Sequence, residues 1–114
     1  MPEVLRFYCG KDNDVVLVVR DRATRTAIPL SPYGEVRLVV EGLGTYSTVS
    51  TPDIVSIISV SDGGGTADAL SVRLGDQVSS CSQVLRFPAY VEAISGADII
   101  RLLDSTDILV EFTP

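Results

Sequence analysis

The chain has no histidine and no tryptophan, and lysine occurs once, at Lys11. Without imidazole there is no Ser-His-Asp or Cys-His machinery, no histidine ligand for zinc and no base that titrates near neutrality. Positive charge is scarce as well. Nine Lys and Arg face fifteen Asp and Glu, a net charge of −6. Binding to a duplex needs clustered cations against phosphate, so no nucleic-acid partner is expected. No apolar run approaches the roughly 18 residues of a membrane-spanning helix, and no membrane association is expected. The first ten residues carry Pro2 and Glu3 and lack the apolar centre of a secretory signal, which predicts folding in the cytosol. Cysteine is confined to Cys9 and Cys81. A bridge between them would close a long loop and could stabilise by about 4 kcal/mol. In a cytosolic chain, however, the pair reads first as two small hydrophobes in or near strands.

What is present points to a core. Of 114 residues 46% are apolar and only 21% charged, enough for one folded domain spanning residues 1–114. Val, Ile and Thr make up 32 residues, a heavy load of β-branched side chains. Residues 3–9 alternate, with Leu5, Phe7 and Cys9 on one face and Val4, Arg6 and Tyr8 on the other. The run 15–20, Val-Val-Leu-Val-Val-Arg, reads as a strand buried on both faces. Asp21 to Thr26 is a charged turn, and Pro29 confines Ala27 to Leu30 to an edge or a connection. Further strands are expected over 35–40, 46–50, 54–60, 70–74, 84–92 and 107–113. Turns at Ser31-Pro32-Tyr33-Gly34, Thr51-Pro52-Asp53 and Asp62-Gly63-Gly64-Gly65 separate some of them. Ala97 to Leu103 is the only helical candidate, no more than one turn or a connector. Seven to nine short strands with turn signals roughly every ten residues predict an all-β fold, a single immunoglobulin-like antiparallel β-sandwich.

The chemical constellations are weak. Gly63 to Leu70 resembles one unit of the glycine-rich calcium-binding nonapeptide, but Thr66 stands where a glycine is required and one unit holds no ion. A hairpin loop is the simpler reading. Asp12, Asp14, Asp21, Asp53 and Asp62 lack EF-hand spacing and read as turn formers. Glu35, Glu41, Glu92 and Glu111 fall on outward strand phases, where carboxylates face solvent rather than pair for glycoside hydrolysis. The serines around Cys81 have no histidine partner. No enzyme activity, cofactor, metal or small-molecule ligand is expected. Eight of the nine cations are arginine, a residue enriched at interfaces, although a GC-rich genome would give the same bias. Outward apolar positions at Val39, Leu109 and one face of Val15 to Val19 also suggest outer surface that packs on neighbours.

The order of these segments resembles a known group. A first strand, then Gly10-Lys11-Asp12 leading into Val15 to Asp21, then Ile28-Pro29-Leu30 and Glu35-Val36-Arg37-Leu38, is similar to small immunoglobulin-like virion proteins of tailed bacteriophages. The N-terminal domains of phage baseplate upper proteins share this plan, which Leu70 to Gly75 and Asp107 to Phe112 also fit. The resemblance implies a non-catalytic structural protein of the virion, assembled in the host cytoplasm. Tail tip or baseplate, fibre-attachment adaptor and capsid decoration are the places it suggests. The partners would be other virion proteins and copies of itself. No counterpart of the receptor-attachment segment of longer members is evident, so an adaptor role would fall to the sandwich. Ile28, Tyr33, Asp62, Gly64 and Leu109 are the contact residues expected on edges and loops. A carbohydrate- or receptor-binding module is the alternative, and a small inhibitory or regulatory domain a third.

Overall fold

Period-two alternation of apolar and polar side chains gives each strand one face to bury, and two sheets meet on those faces. The computed structural model describes residues 2–114. Its strands are β1 (Glu3–Tyr8), β2 (Val15–Leu17), β3 (Glu35–Val40), β4 (Gly44–Ser47), β5 (Val55–Asp62), β6 (Gly65–Val72), β7 (Leu85–Ser95) and β8 (Asp98–Thr113). One sheet has the order β1-β8-β7-β3-β4 and the other β2-β6-β5. With the strands taken in turn as A′, B, C, C′, D, E, F and G, this is the strand order of an immunoglobulin-type sandwich. Two hallmarks of antibody domains are missing: there is no tryptophan, and the cysteines do not join the B and F positions.

The core follows the predicted phases. Leu5 and Phe7, Val36 and Leu38, Ala89 and Val91, and Ile108, Val110 and Phe112 are buried from the larger sheet. Leu17, Leu70 and Val72 face them from the smaller one. Phe112 holds the centre, with the rings of Phe7 and Phe87 each 5.8 Å away.

Five expectations are corrected. The sheets are not wholly antiparallel, because β1 runs parallel to β8 with Phe7 opposite Phe112. Ala97 to Leu103 is not helical. A hairpin turn with Gly96 at φ 61° leads into β8, and residues 98–103 pair with the end of β7. The doublets Ile99-Ile100 and Leu102-Leu103 hide the alternation, and a slip in register leaves Asp104 to Asp107 bulged opposite Tyr90. The run Val15 to Arg20 is not buried on both faces either. Leu17 and Val19 are inside while Val16 is 46% exposed, and β2 stops after three residues. The strand expected over 46–50 is the shorter β4, ended by a turn in which the Ser47 hydroxyl accepts the Val49 and Ser50 N–H groups.

The fifth correction concerns the cysteines. Cys9 and Cys81 form a disulfide, with Cα atoms 6.1 Å apart. A backbone corner brings them together. The Gly10 N–H donates to the carbonyls of Gly75 and Val78, each at 2.9 Å, which pins the end of β1 to the 3-10 turn Gly75–Gln77. The approach demands glycine: a Cβ on Gly75 would lie 1.8 Å from the Lys11 carbonyl oxygen. The segment leaving that turn then delivers Cys81 to Cys9. Sequence spacing carries no trace of this contact, since 72 residues separate the two. The bridge ties both ends of a long loop, so Cys81→Ser should lower the unfolding free energy by about 4 kcal/mol. Denaturant titration with and without reductant checks this: reduction should lower the wild-type midpoint and leave that of Cys81→Ser unmoved.

Candidate interaction surface

The five expected contact residues do not form one patch. Ile28 and Tyr33 are partly buried and pack against the core, so charged substitutions there would unfold the domain rather than report on docking. Ile28 and Asp62 line one shallow depression with Ala67 and Asp68. Gly64 sits at the tip of the β5–β6 hairpin, where Gly63 and Gly64 adopt φ 59° and 90°, the left-handed pair that a two-residue turn requires. Leu109 lies on the other sheet, between Val4 of β1 and Pro88 of β7.

A different surface is continuous. In β2 and the residue that follows it, and in β5 and β6, the side chains opposite in phase to the core are Val16, Val18, Ile58, Val60, Ala67 and Ala69, interspersed with Ser56 and Ser71. The register places Val16 beside Ser71 and Ser56, then Ala69 beside Ile58, then Ala67 beside Val60. None of these six apolar residues belongs to the central core cluster, although Ala69 is fully buried among its neighbours. No charge falls on the face between the ends of β5 and β6, while Val16 and Val18 also border the cleft lined by Glu3, Arg20, Arg22, Arg25 and Asp107. Arg73, paired with Asp14, closes one end, and Arg20, bonded to Asp62 at 2.8 Å, closes the other. The apolar run Val15 to Val19 signals this face through Val16 and Val18, whereas the serines and alanines of β5 and β6 mask their share of it.

The larger sheet's outer face is polar and internally paired. Glu111 is not the solvent-facing carboxylate expected: its side chain is 11% exposed, held by Arg86 at 3.0 Å and Arg6 at 3.3 Å. Glu35 accepts from Ser47 and Arg37, and Arg37 also reaches Glu92. Of Glu35, Glu41, Glu92 and Glu111, only Glu41 is exposed. The aspartates do not converge. Asp12 and Asp14 meet Arg73, Asp21 caps its own turn through the Ala23 and Thr24 N–H groups, and Asp62 meets Arg20. Among the described residues no group of three or more His, Cys, Asp or Glu could hold a metal ion. Seven of the eight arginines form ion pairs within the chain. Arginine enrichment is thus largely absorbed by the molecule's own surface.

Asp68 is the side chain that sequence reasoning missed. Its carboxylate accepts the Leu30 and Ser31 N–H groups and the Ser31 hydroxyl, each at 2.9 Å, fixing the connector that precedes β3 to the smaller sheet. The available signal was an aspartate inside an alternating strand, where that residue is disfavoured. The clefts are shallow. One between the beginnings of β1 and β2 gathers Arg20, Arg22 and Arg25 with Asp107, but Arg22 is tied to Asp107 and Arg20 to Asp62. Tyr8 is 57% exposed, Tyr46 is buried, and Arg101 lies 3.7 Å over the Tyr90 ring. No protein-family model, curated protein or solved structure matches the chain.

These bonds hold several carboxyls below their ordinary range. The Ser31 and Leu30 N–H groups do so for Asp68, Arg86 and Arg6 for Glu111, the Ser47 hydroxyl and Arg37 for Glu35, Arg20 for Asp62 and Arg22 for Asp107. A depressed folded pKa adds stability that is complete above the unfolded value and is lost as pH falls through the folded one. Thermal midpoints should therefore hold steady from neutrality to about pH 5 and fall below about pH 4, where free carboxylates titrate. Asp68→Asn should lower the midpoint at neutral pH and make the acid decline shallower, as followed by circular dichroism.

Proposed function

We propose that this protein is a non-catalytic structural component of a tailed-phage particle, acting through protein–protein packing. The uncharged outer face of the β2-β6-β5 sheet carries the reading. On a chain of net charge −6, a sheet face of Val, Ile, Ala and Ser with charges at its ends and along the cleft beside β2, and none across β5 and β6 between them, has the composition of surface meant to be covered. The sequence resemblance to small virion sandwiches supplies the setting, with tail tip or baseplate, fibre attachment and capsid decoration as the sites it suggests. The Cys9–Cys81 bridge fits a protein that works outside a reducing cytosol, as virion surfaces do. A glycan-binding role draws less support: Tyr8 is exposed, but Tyr33 and Tyr46 are engaged with the core and Tyr90 lies under Arg101.

Mass spectrometry of purified phage particles should find the chain at stoichiometric abundance. Val16→Glu places a charge at the exposed β2 side of the face and should abolish incorporation while shifting the thermal midpoint by no more than a few degrees. Particles that lack the wild-type chain, or that incorporate Val16→Glu normally, would overturn the reading.

A further inference from the structure

Two sheets in an open sandwich leave four edges, and natural proteins protect such edges with short strands, charges or proline. Three of the four are protected in one of these ways. β2 has three residues and β4 four, while β1 carries Glu3 and Arg6 and follows Pro2. The fourth edge is β5, Val-Ser-Ile-Ile-Ser-Val-Ser-Asp. It is eight residues long and has no proline, no lysine, no arginine and no charge before its last residue.

Which of its backbone groups are free follows from the ladder. The Arg73 N–H donates to the Ile54 carbonyl, and those two residues lie directly opposite in the register that pairs Val55 with Val72. In an antiparallel pair, hydrogen-bonded and non-hydrogen-bonded positions alternate. Ser56, Ile58, Val60 and Asp62 therefore point their N–H and C=O groups at β6. Val55, Ile57, Ser59 and Ser61 point theirs outward. The Val55 N–H is satisfied by the Thr51 carbonyl, 3.0 Å away. Among the described residues, none of the backbone hydrogen bonds made outside the strands involves Ile57, Ser59 or Ser61.

We propose that β5 pairs with β5 of a second copy, antiparallel about a two-fold axis at Ser59, to form a continuous six-stranded sheet. The strand is self-complementary in that register. Ser59 meets Ser59 of the second copy, and Ile57 meets Ser61. Six backbone hydrogen bonds then use every free outward group from Ile57 to Ser61. Ile58 falls opposite Val60 in the close, non-hydrogen-bonded positions, where β-branched pairs stabilise a sheet. Asp62 falls opposite Ser56, so no like charges meet. The apolar outer face of one copy runs into that of the other. An isologous two-fold contact also closes on itself and does not propagate into fibres. The inference stands on strand geometry alone and is independent of the virion reading.

The contact is small beside the ~1,600 Å² of a standard interface, so a micromolar dimer is expected rather than a nanomolar one. Sedimentation equilibrium of the whole chain, from micromolar to millimolar concentration, should show a monomer–dimer equilibrium. Ser59 is exposed, so Ser59→Lys and Ser59→Glu should both fold with near-wild-type thermal midpoints. Each alone places like charges opposite one another and should weaken dimerisation by roughly tenfold or more. An equimolar mixture of the two should restore it. A wild type that stays monomeric to millimolar concentration overturns the proposal. So does dimerisation that neither variant weakens, or a mixture that fails to recover. The Val16→Glu variant should dimerise normally, because Val16 lies two strands away, which separates this result from the particle-incorporation test.

Discussion

The parallel pairing of the first strand with the last is the constraint on which the domain depends. β1 is an edge strand with no antiparallel partner, so its register with β8 alone decides which of its side chains enter the core. That register sets Phe7 against Phe112, and Leu5 against Val110, inside the sandwich. On the outer face the same register sets Arg6 beside Glu111, which Arg86 of β7 holds from the other side. A shift of one residue would expose Phe7 and drive Arg6 inward. The core ring cluster and the outer ion cluster are thus two faces of one register. The corner at Gly10 locks it, since the chain leaves β1 directly into hydrogen bonds with the Gly75–Gln77 turn and into the disulfide.

Local patterning explains why much of this was legible and where it stopped. Leu5/Phe7, Val36/Leu38 and Val110/Phe112 alternate with polar neighbours, and although Val39 and Leu109 interrupt the pattern, the burial follows these phases. The Asp62 to Gly65 turn was equally clear, because adjacent glycines at a strand junction leave few alternatives. Ala97 to Leu103 misled because paired apolar residues imitate a short helix, while the partner that makes them a strand lies across the Gly96 turn. The run Val15 to Val19 misled for the opposite reason: five apolar residues in a row look doubly buried, yet only one side of that strand meets the other sheet. Parallel pairing, the corner at Gly75 and the disulfide are contacts between distant segments, and nothing in local composition encodes them.

Of the candidate surface, sequence reading found one strand of three. It also placed weight on Ile28 and Tyr33, whose aliphatic and aromatic bulk serves the core. Asp68 was overlooked because loop aspartates are so common that a strand aspartate does not stand out without its partners. Its three bonds to Leu30 and Ser31 hold the connector that carries the chain from the smaller sheet to the larger.

Charge completes the picture of how the surface is divided. Exposed ion pairs contribute little stability each, so their arrangement matters more than their number. Most arginines sit against carboxylates along the larger sheet and at the ends of the smaller one. An acidic chain thereby keeps a strip of neutral, flat surface between charged boundaries, while the net charge of −6 opposes indiscriminate association. Any partner that covers the strip must match a flat face of β-branched and small side chains, and a partner at β5 must offer backbone groups in register. The absence of histidine bears on the same point: with no imidazole to titrate between pH 5 and 8, this surface keeps one charge pattern across that range. Any association through it would then be governed by shape and salt rather than by proton binding.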